Sequence, residues 1–340
     1  MSGHSLEDES LRVTTGNIDQ ARCLLSRSDP GPRNPDPGRG WTEPLGVVVL
    51  AAGRSGRRGR VSASRGKGAA MKLIGAVRYL NARPLIDGLE ARGDLRVLEE
   101  VPSRLASALC GGDTDIALCP VIDYQRAPRE LVVVPVGCIA SRGATLTVRV
   151  FSRLPFEEVE TVWVDTDSHS SIALLQVVFQ SRFGRVPSLQ PLPKETPVGG
   201  LADTCLLIGD KVVVREPERH VYPFQMDLGK EWRDQTGLPF VFAVWMARSG
   251  ATLGSVPATL DEQRRRNCRR LSEIVDAHAQ ERGWPPAIAL DYLGSLLEYE
   301  VTATHLDAMR LFWRRCLELG VIERLRPLKL YHDGDQAVAV

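Results

Sequence analysis

The chain reads as an α/β protein of two lobes, on three observations. From Met71 onward, short apolar runs rich in β-branched residues alternate with apolar-periodic helical segments, the pattern of an α/β protein. A length of 340 residues with 43% hydrophobic and 25% charged content is an ordinary globular make-up that fills one large core or two medium ones, so two lobes are expected. Beyond about residue 255 the strand signal stops and only helices follow.

The elements follow in order. KLIGAV (72–77) is the first strand, and NARPLIDGLEAR (81–92) a helix with Pro84 in its first turn, where a missing N–H costs nothing. LRVLEEV (95–101) is the second strand; PSRLASALCGG (102–112) is a helix that starts at Pro102 and stops at Gly111 and Gly112. IALCPV (116–121) is the third strand. LVVVPVGCIAS (131–141), ATLTVRVFS (144–152) and TVWVD (161–165) continue the sheet pattern, and SSIALLQVVFQSRFG (170–184) is a helix closed by Gly184. CLLIGDKVVV (205–214) and PFVFAVWMA (239–247) are too short for typical helices and carry β-branched or aromatic residues. Segments 260–283, 285–301 and 304–322 have apolar residues at helical spacing, and the cluster Arg264, Arg265, Arg266, Arg269 and Arg270 reads as a solvated helix face.

Residues 1–70 differ from the rest. SRSDPGPRNPDPGRG and GRSGRRGRVSASRGKG have too few apolar residues to offset the entropy of ordering them, so a disordered leader is expected, with Met71 as the biological start. One island, VVVLAAGRSGRRG (47–59), resembles the phosphate-binding opening of sugar nucleotidyltransferases. Such a loop works only when a nucleotide-binding sheet follows it, and here more Gly- and Arg-rich sequence follows.

Composition excludes several classes. A net charge of +1 gives no electrostatic reason to expect nucleic acid or an anionic membrane as partner, which leaves a small molecule. The seven cysteines are scattered singly with no CxxC pair, against a disulfide framework or a zinc site, and fit a reducing compartment. The six histidines form no HxH or HxxxH pair, so no metal and no cofactor is expected. No apolar run approaches the roughly 18 to 20 residues that cross a bilayer, and MSGHSLEDES is acidic where a secretory signal is basic, so the expected location is cytoplasmic.

The segment Thr161–Phe179 carries the strongest site signal. Ser168, Ser170 and Ser171 stand where a helix begins, so hydroxyls, orphan N–H groups and the positive end of the helix dipole converge on one spot that suits a carboxylate. One helix cap needs only one hydroxyl; Asp165, Thr166, Asp167, Ser168, Ser170 and Ser171 crowd seven positions. Asn81 sits at a strand end opening a helix, as a helix cap or as an amide donor to a ligand. Asp210 after LLIG reads as a turn residue, and His169 as a solvated turn histidine.

Taken together, GAVRYLNARPL (75–85), GDTDIALCPV (112–121), GCIASRGATLTVRVFS (137–152), DTDSHSS (165–171), LLIGD (206–210) and DLGKEWRDQTGLPFVFAVW (227–245) resemble, in order, the MqnA family of menaquinone biosynthesis, the chorismate dehydratases of the futalosine route. The resemblance implies a type II periplasmic-binding-protein-like fold. Residues 71–155 and 243–340 would form lobe I with the C-terminal helices, and residues 156–242 lobe II, with the ligand between them. It implies a lyase that converts chorismate to 3-[(1-carboxyvinyl)oxy]benzoate and water. Asn81 and Thr147 would be catalytic, and Ser141, Ser168, Ser170 and Ser171 would bind the substrate carboxylates. The sequence shows no nucleophile–base pair, so the substrate's own enolpyruvyl carboxylate is the expected base. Two departures stand out: the family's serine-rich turn often has Arg-Thr where this chain has His169-Ser170, and often Ser where Thr147 stands. The rival readings are the dihydroxynaphthoate synthase relative of the same route and a non-catalytic cytosolic carboxylate-binding protein.

Overall fold

The computed structural model describes residues 71–193, 196, 200, 202–332 and 338–339, so the expectations for residues 1–70 lie outside the described residues. β1 (Lys72–Val77) runs into a 3-10 turn at Leu80–Ala82 and a short helix, α1 (Arg83–Ile86). The single helix expected over 81–92 is broken at Asp87 and at Gly88, whose φ of 83° lies in the left-handed region. The break has a local cause. The Asp87 carboxylate bonds Arg270 and, at 2.7 Å, His278 Nε2, while its carbonyl accepts from Gln263 at 2.6 Å and Asn267 at 2.9 Å. β2 (Leu95–Glu100), α2 (Pro102–Gly111), β3 (Ile116–Pro120), α3 (Asp123–Arg126) and β4 (Leu131–Ser141) complete the first half of lobe I.

The chain crosses at 142–147 into β5 (Val148–Ser152), then builds β6 (Thr161–Val164), α4 (His169–Phe183), β7 (Ser188–Pro191), β8 (Thr204–Ile208), α5 (Lys211–Val214), β9 (Phe224–Asp227) and α6 (Leu228–Thr236). These strands form a second sheet in the order β7-β6-β8-β5-β9. Gly209, with φ 76°, turns β8 into α5, so KVVV is helical where the sequence suggested strand.

The return strand β10 (Phe240–Arg248) inserts antiparallel between β3 and β4. Then follow α7 (Val256–Asn267), α8 (Leu271–His278), α9 (Pro286–Asp291), a π-helical turn at Tyr292–Leu296, β11 (Leu297–Glu298), α10 (Ala303–Glu318), β12 (Lys329–Leu330) and β13 (Val338–Ala339). The first sheet runs β13-β12-β4-β10-β3-β1-β2, with β11 also on β4. The expected lobe boundaries shift accordingly. β5 pairs with β8 and β9, so 148–152 belongs to lobe II rather than lobe I, and Phe240–Phe242 lie in β10 of the first sheet, so they belong to lobe I rather than lobe II. The arginine cluster is also corrected in part. Arg264 donates to the Val136 carbonyl at 3.1 Å and Arg270 pairs with Asp87, so both are structural ties; Arg265 keeps to the solvated face.

One carboxylate holds both crossings. Asp227 Oδ2 accepts from the amides of Thr145 and Leu146 at 2.8 Å each and from Thr145 Oγ1 at 3.2 Å, while Oδ1 caps α6 through the amides of Gly229 at 3.0 Å and Lys230 at 3.1 Å. Gly229 is required there, because a Cβ would lie 2.3 Å from Thr145 Cγ2 and 2.6 Å from the Gly143 carbonyl. Asp227→Asn turns an amide NH₂ toward these donors and is expected to lower unfolding stability by about 3 kcal/mol. Urea unfolding at pH 7 checks this; an unchanged midpoint contradicts it.

Candidate active site

A cavity of about 50 Å³ lies where the lobes and the outgoing crossing meet. Lobe I contributes Tyr79 and Asn81 from the turn after β1, Phe242 from β10, and Tyr292 from the π-helical turn. The crossing contributes Thr145 and Thr147, and lobe II contributes Ser168 and Ser171 at the start of α4 and Gly209 after β8. Apart from the two tyrosines, no ionisable side chain lines it among the described residues.

The polar groups are neutral and largely bonded to one another. Thr147 Oγ1 and the Tyr292 hydroxyl share a hydrogen bond of 2.8 Å. Burial pushes the Tyr292 phenol well above its ordinary range, with the Thr147 hydrogen bond opposing the rise, so it keeps its proton at neutral pH. Burial does the same to Tyr79, helped by the charges of Asp167 and Asp165, and the Tyr79 hydroxyl donates to Asp167 at 3.3 Å. Asn81 Oδ1 is buried without a hydrogen-bond partner. Ser168 caps α4 by accepting from the Ser171 amide at 3.3 Å, and the two hydroxyls share a bond of 2.9 Å.

Four of the six residues singled out in the sequence therefore meet in one cavity: Asn81, Thr147, Ser168 and Ser171. Two do not. Ser170 points the other way round the helix, where its Oγ accepts from the Ile122 amide at 3.4 Å, and Ser141 is fully buried with its hydroxyl donating to the Gly143 carbonyl at 3.1 Å. His169 is not solvated alone; its Nδ1 bonds Asp123 of lobe I at 2.9 Å, outside the cavity. Sequence reasoning missed Tyr292 and Tyr79. Tyr292 sits in segment 285–301, whose apolar spacing points only to a helix, and Tyr79 is part of YLNARP without a signal that separates it.

Asp210 is more than a turn residue. From the start of α5 its carboxylate crosses to lobe I and accepts from the Leu80 amide at 3.2 and 3.3 Å, next to Asn81. Burial raises its pKa, and the Leu80 bond opposes the rise. Gly209 beside it lets the Tyr79 ring approach; a Cβ there would be 3.0 Å from the ring. Among the described residues no group of three His, Cys, Asp or Glu side chains is placed to hold a metal ion, and no helix is long and apolar enough to cross a membrane. Asp210→Ala is expected to raise hydrogen exchange at the Leu80 amide about tenfold, the loss of one charge-assisted bond. Exchange measured by NMR at constant pH checks it, and unchanged protection at Leu80 contradicts it.

A family model described as menaquinone biosynthesis matches residues 73–318. A chorismate dehydratase of Thermus thermophilus is 29% identical over 236 residues, which is 65% of this chain and 86% of the relative. Among solved structures, a protein of Archaeoglobus fulgidus superposes with a TM-score of 0.59 at 12% identity, covering 74% of this chain and 98% of its own. A Candida albicans protein described as having the generic periplasmic binding protein fold does so with a TM-score of 0.50 at 12% identity, covering 78% and 99%. These two likenesses concern the fold, which is the two-lobed periplasmic-binding-protein-like one.

Proposed function

Because the chain belongs to the menaquinone biosynthesis family, we propose that it is a chorismate dehydratase, a cytoplasmic hydro-lyase that converts chorismate to 3-[(1-carboxyvinyl)oxy]benzoate and water in the futalosine route. The observation that carries the reading is an interlobe cavity walled by neutral polar side chains, with Asn81, Thr147 and Tyr292 on one side and Ser168 and Ser171 on the other. Such walls suit a substrate that carries its own base.

The reaction removes the C3 proton and the C4 hydroxyl, and the ring becomes aromatic, so the driving force lies in the substrate. The enolpyruvyl carboxylate takes the C3 proton when that arm is folded over the ring, the C3–H electron pair becomes the new ring double bond, and the C4–O bond breaks as the oxygen takes up the proton from the carboxyl group and leaves as water. Orientation supplies much of the rate in such an arrangement. Charge that develops toward the ring carboxylate is stabilised by fixed donors, a role this reading gives to the Asn81 amide and to the Tyr292 phenol, which keeps its proton. Ser168 and Ser171 serve the second carboxylate from lobe II. The cavity is well below the about 300 Å³ of a small-ligand pocket, so entry requires the lobes to part and closure then excludes water.

Incubation of the purified protein with chorismate is expected to yield the aromatic enol ether, followed by chromatography. Asn81→Ala is expected to lower kcat on the order of 100-fold, the cost of one fixed donor, with the fold intact by circular dichroism. Tight reversible binding of chorismate without product overturns the enzyme reading in favour of a carboxylate-binding protein.

A further inference from the structure

Beside the inner cavity, and also between the lobes, lies a second pocket of about 330 Å³. That volume falls within the range of small-ligand sites, roughly 300 to 1,000 Å³. Arg78, Val101 and Arg104 line it from lobe I, and Leu207, Lys211 and Arg215 from lobe II. Tyr79 joins the two spaces. Its side chain lines the inner cavity, and its hydroxyl bonds Asp167, which lines the outer pocket.

The charges of the outer pocket do not cancel locally. Its carboxylates are Glu100, Asp165 and Asp167. Arg104 pairs with Glu100 at 3.6 Å, and Lys211 pairs with Asp165 and, at 4.0 Å, with Asp167. Arg78 and Arg215 make no ion pair among the described residues, and both are exposed. One guanidinium therefore stands on each lobe, with the apolar surface of Val101 and Leu207 in the same pocket. A guanidinium matches a carboxylate by its fork of N–H donors. Two of them with an apolar wall suit a ring that bears two carboxylates.

The inner cavity makes this useful. A dianion gains no long-range attraction from neutral walls, whereas cations at an entrance raise local concentration and on-rate. We propose that the outer pocket is a docking site for a small ring dicarboxylate, held by Arg78 and Arg215 on its way into or out of the inner cavity. The inference rests on the proposed reaction for the identity of that dicarboxylate, since chorismate and its product share the chemistry.

The test uses the full chain and isophthalate, a ring dicarboxylate that cannot react. Titration calorimetry at low salt is expected to show binding that weakens roughly tenfold in Arg78→Gln/Arg215→Gln, with most of its salt dependence lost, while Asn81→Ala leaves it in place. Neither arginine makes an ion pair among the described residues and both are exposed, and the contact of the Arg78 guanidinium with the Tyr79 ring, 5.9 Å from its centroid, is a weak one at such a site, so thermal unfolding should shift only slightly. Parallel arms separate the sources: a drop in kcat/KM for chorismate marks docking of substrate, and weaker binding of purified product marks docking of product. Should the wild-type protein turn over no chorismate and yet bind isophthalate through the arginine pair, the dehydratase reading fails and the docking site stands. Isophthalate that does not bind, that binds equally to the double variant, or that is lost in Asn81→Ala overturns the docking site.

Discussion

The Asp227 carboxylate is the tie on which the site depends. It accepts five hydrogen bonds, three from the outgoing crossing and two from the start of α6, and so joins the two places where the chain passes between sheets. One of its donors is the amide of Leu146, the only non-glycine residue with positive φ, at 63°, among the described residues. A side chain in that region costs about 1 kcal/mol or more. The carboxylate offsets the strain, and the resulting bend sets the direction in which Thr145 and Thr147 enter the cavity. Burial raises the Asp227 pKa, yet the donors around it favour the charged form that makes these bonds.

Around that bend the walls are polar without being charged. Thr147 orients the Tyr292 phenol, Ser171 and Ser168 orient each other, and Asn81 keeps an oxygen with no partner in the protein. In a site of low dielectric such fixed neutral dipoles act more strongly on a charge than they do in water. The formal charges are kept one layer out: Asp210 on the Leu80 amide, Asp167 on the Tyr79 hydroxyl, and Lys211 between Asp165 and Asp167. Lobe contact and site polarity are therefore linked, because residues that bridge the lobes also flank the residues that face inward.

Much of this was legible in the sequence, and the exceptions are physical. Alternating strands and helices marked the fold, and the crowded hydroxyls at 165–171 marked the start of α4, because capping and anion binding both leave a composition signal. The same crowding could not say which serine faces inward. Ser168 and Ser171 are three apart and share a helix face, whereas Ser170 is turned toward Ile122. Ser141 lay in the right strand, but its hydroxyl is used to close the turn to Gly143. Tyr292 was hidden because the π-helical turn around it keeps an ordinary apolar spacing, and Asp87 broke a well-patterned helix through partners almost two hundred residues away. Long-range polar ties of this kind have no local signature.

The strand order of the first sheet also fixes when a working molecule can exist during synthesis. Residues 148–227 hold every strand of the second sheet, so that half is complete as soon as it has left the ribosome. The first sheet must wait with β3 and β4 unjoined until β10 arrives to fill the gap between them. Tyr292 comes later still. The nascent chain therefore carries an open sheet edge for more than a hundred residues of translation, an interval in which sticking to other chains is the main hazard.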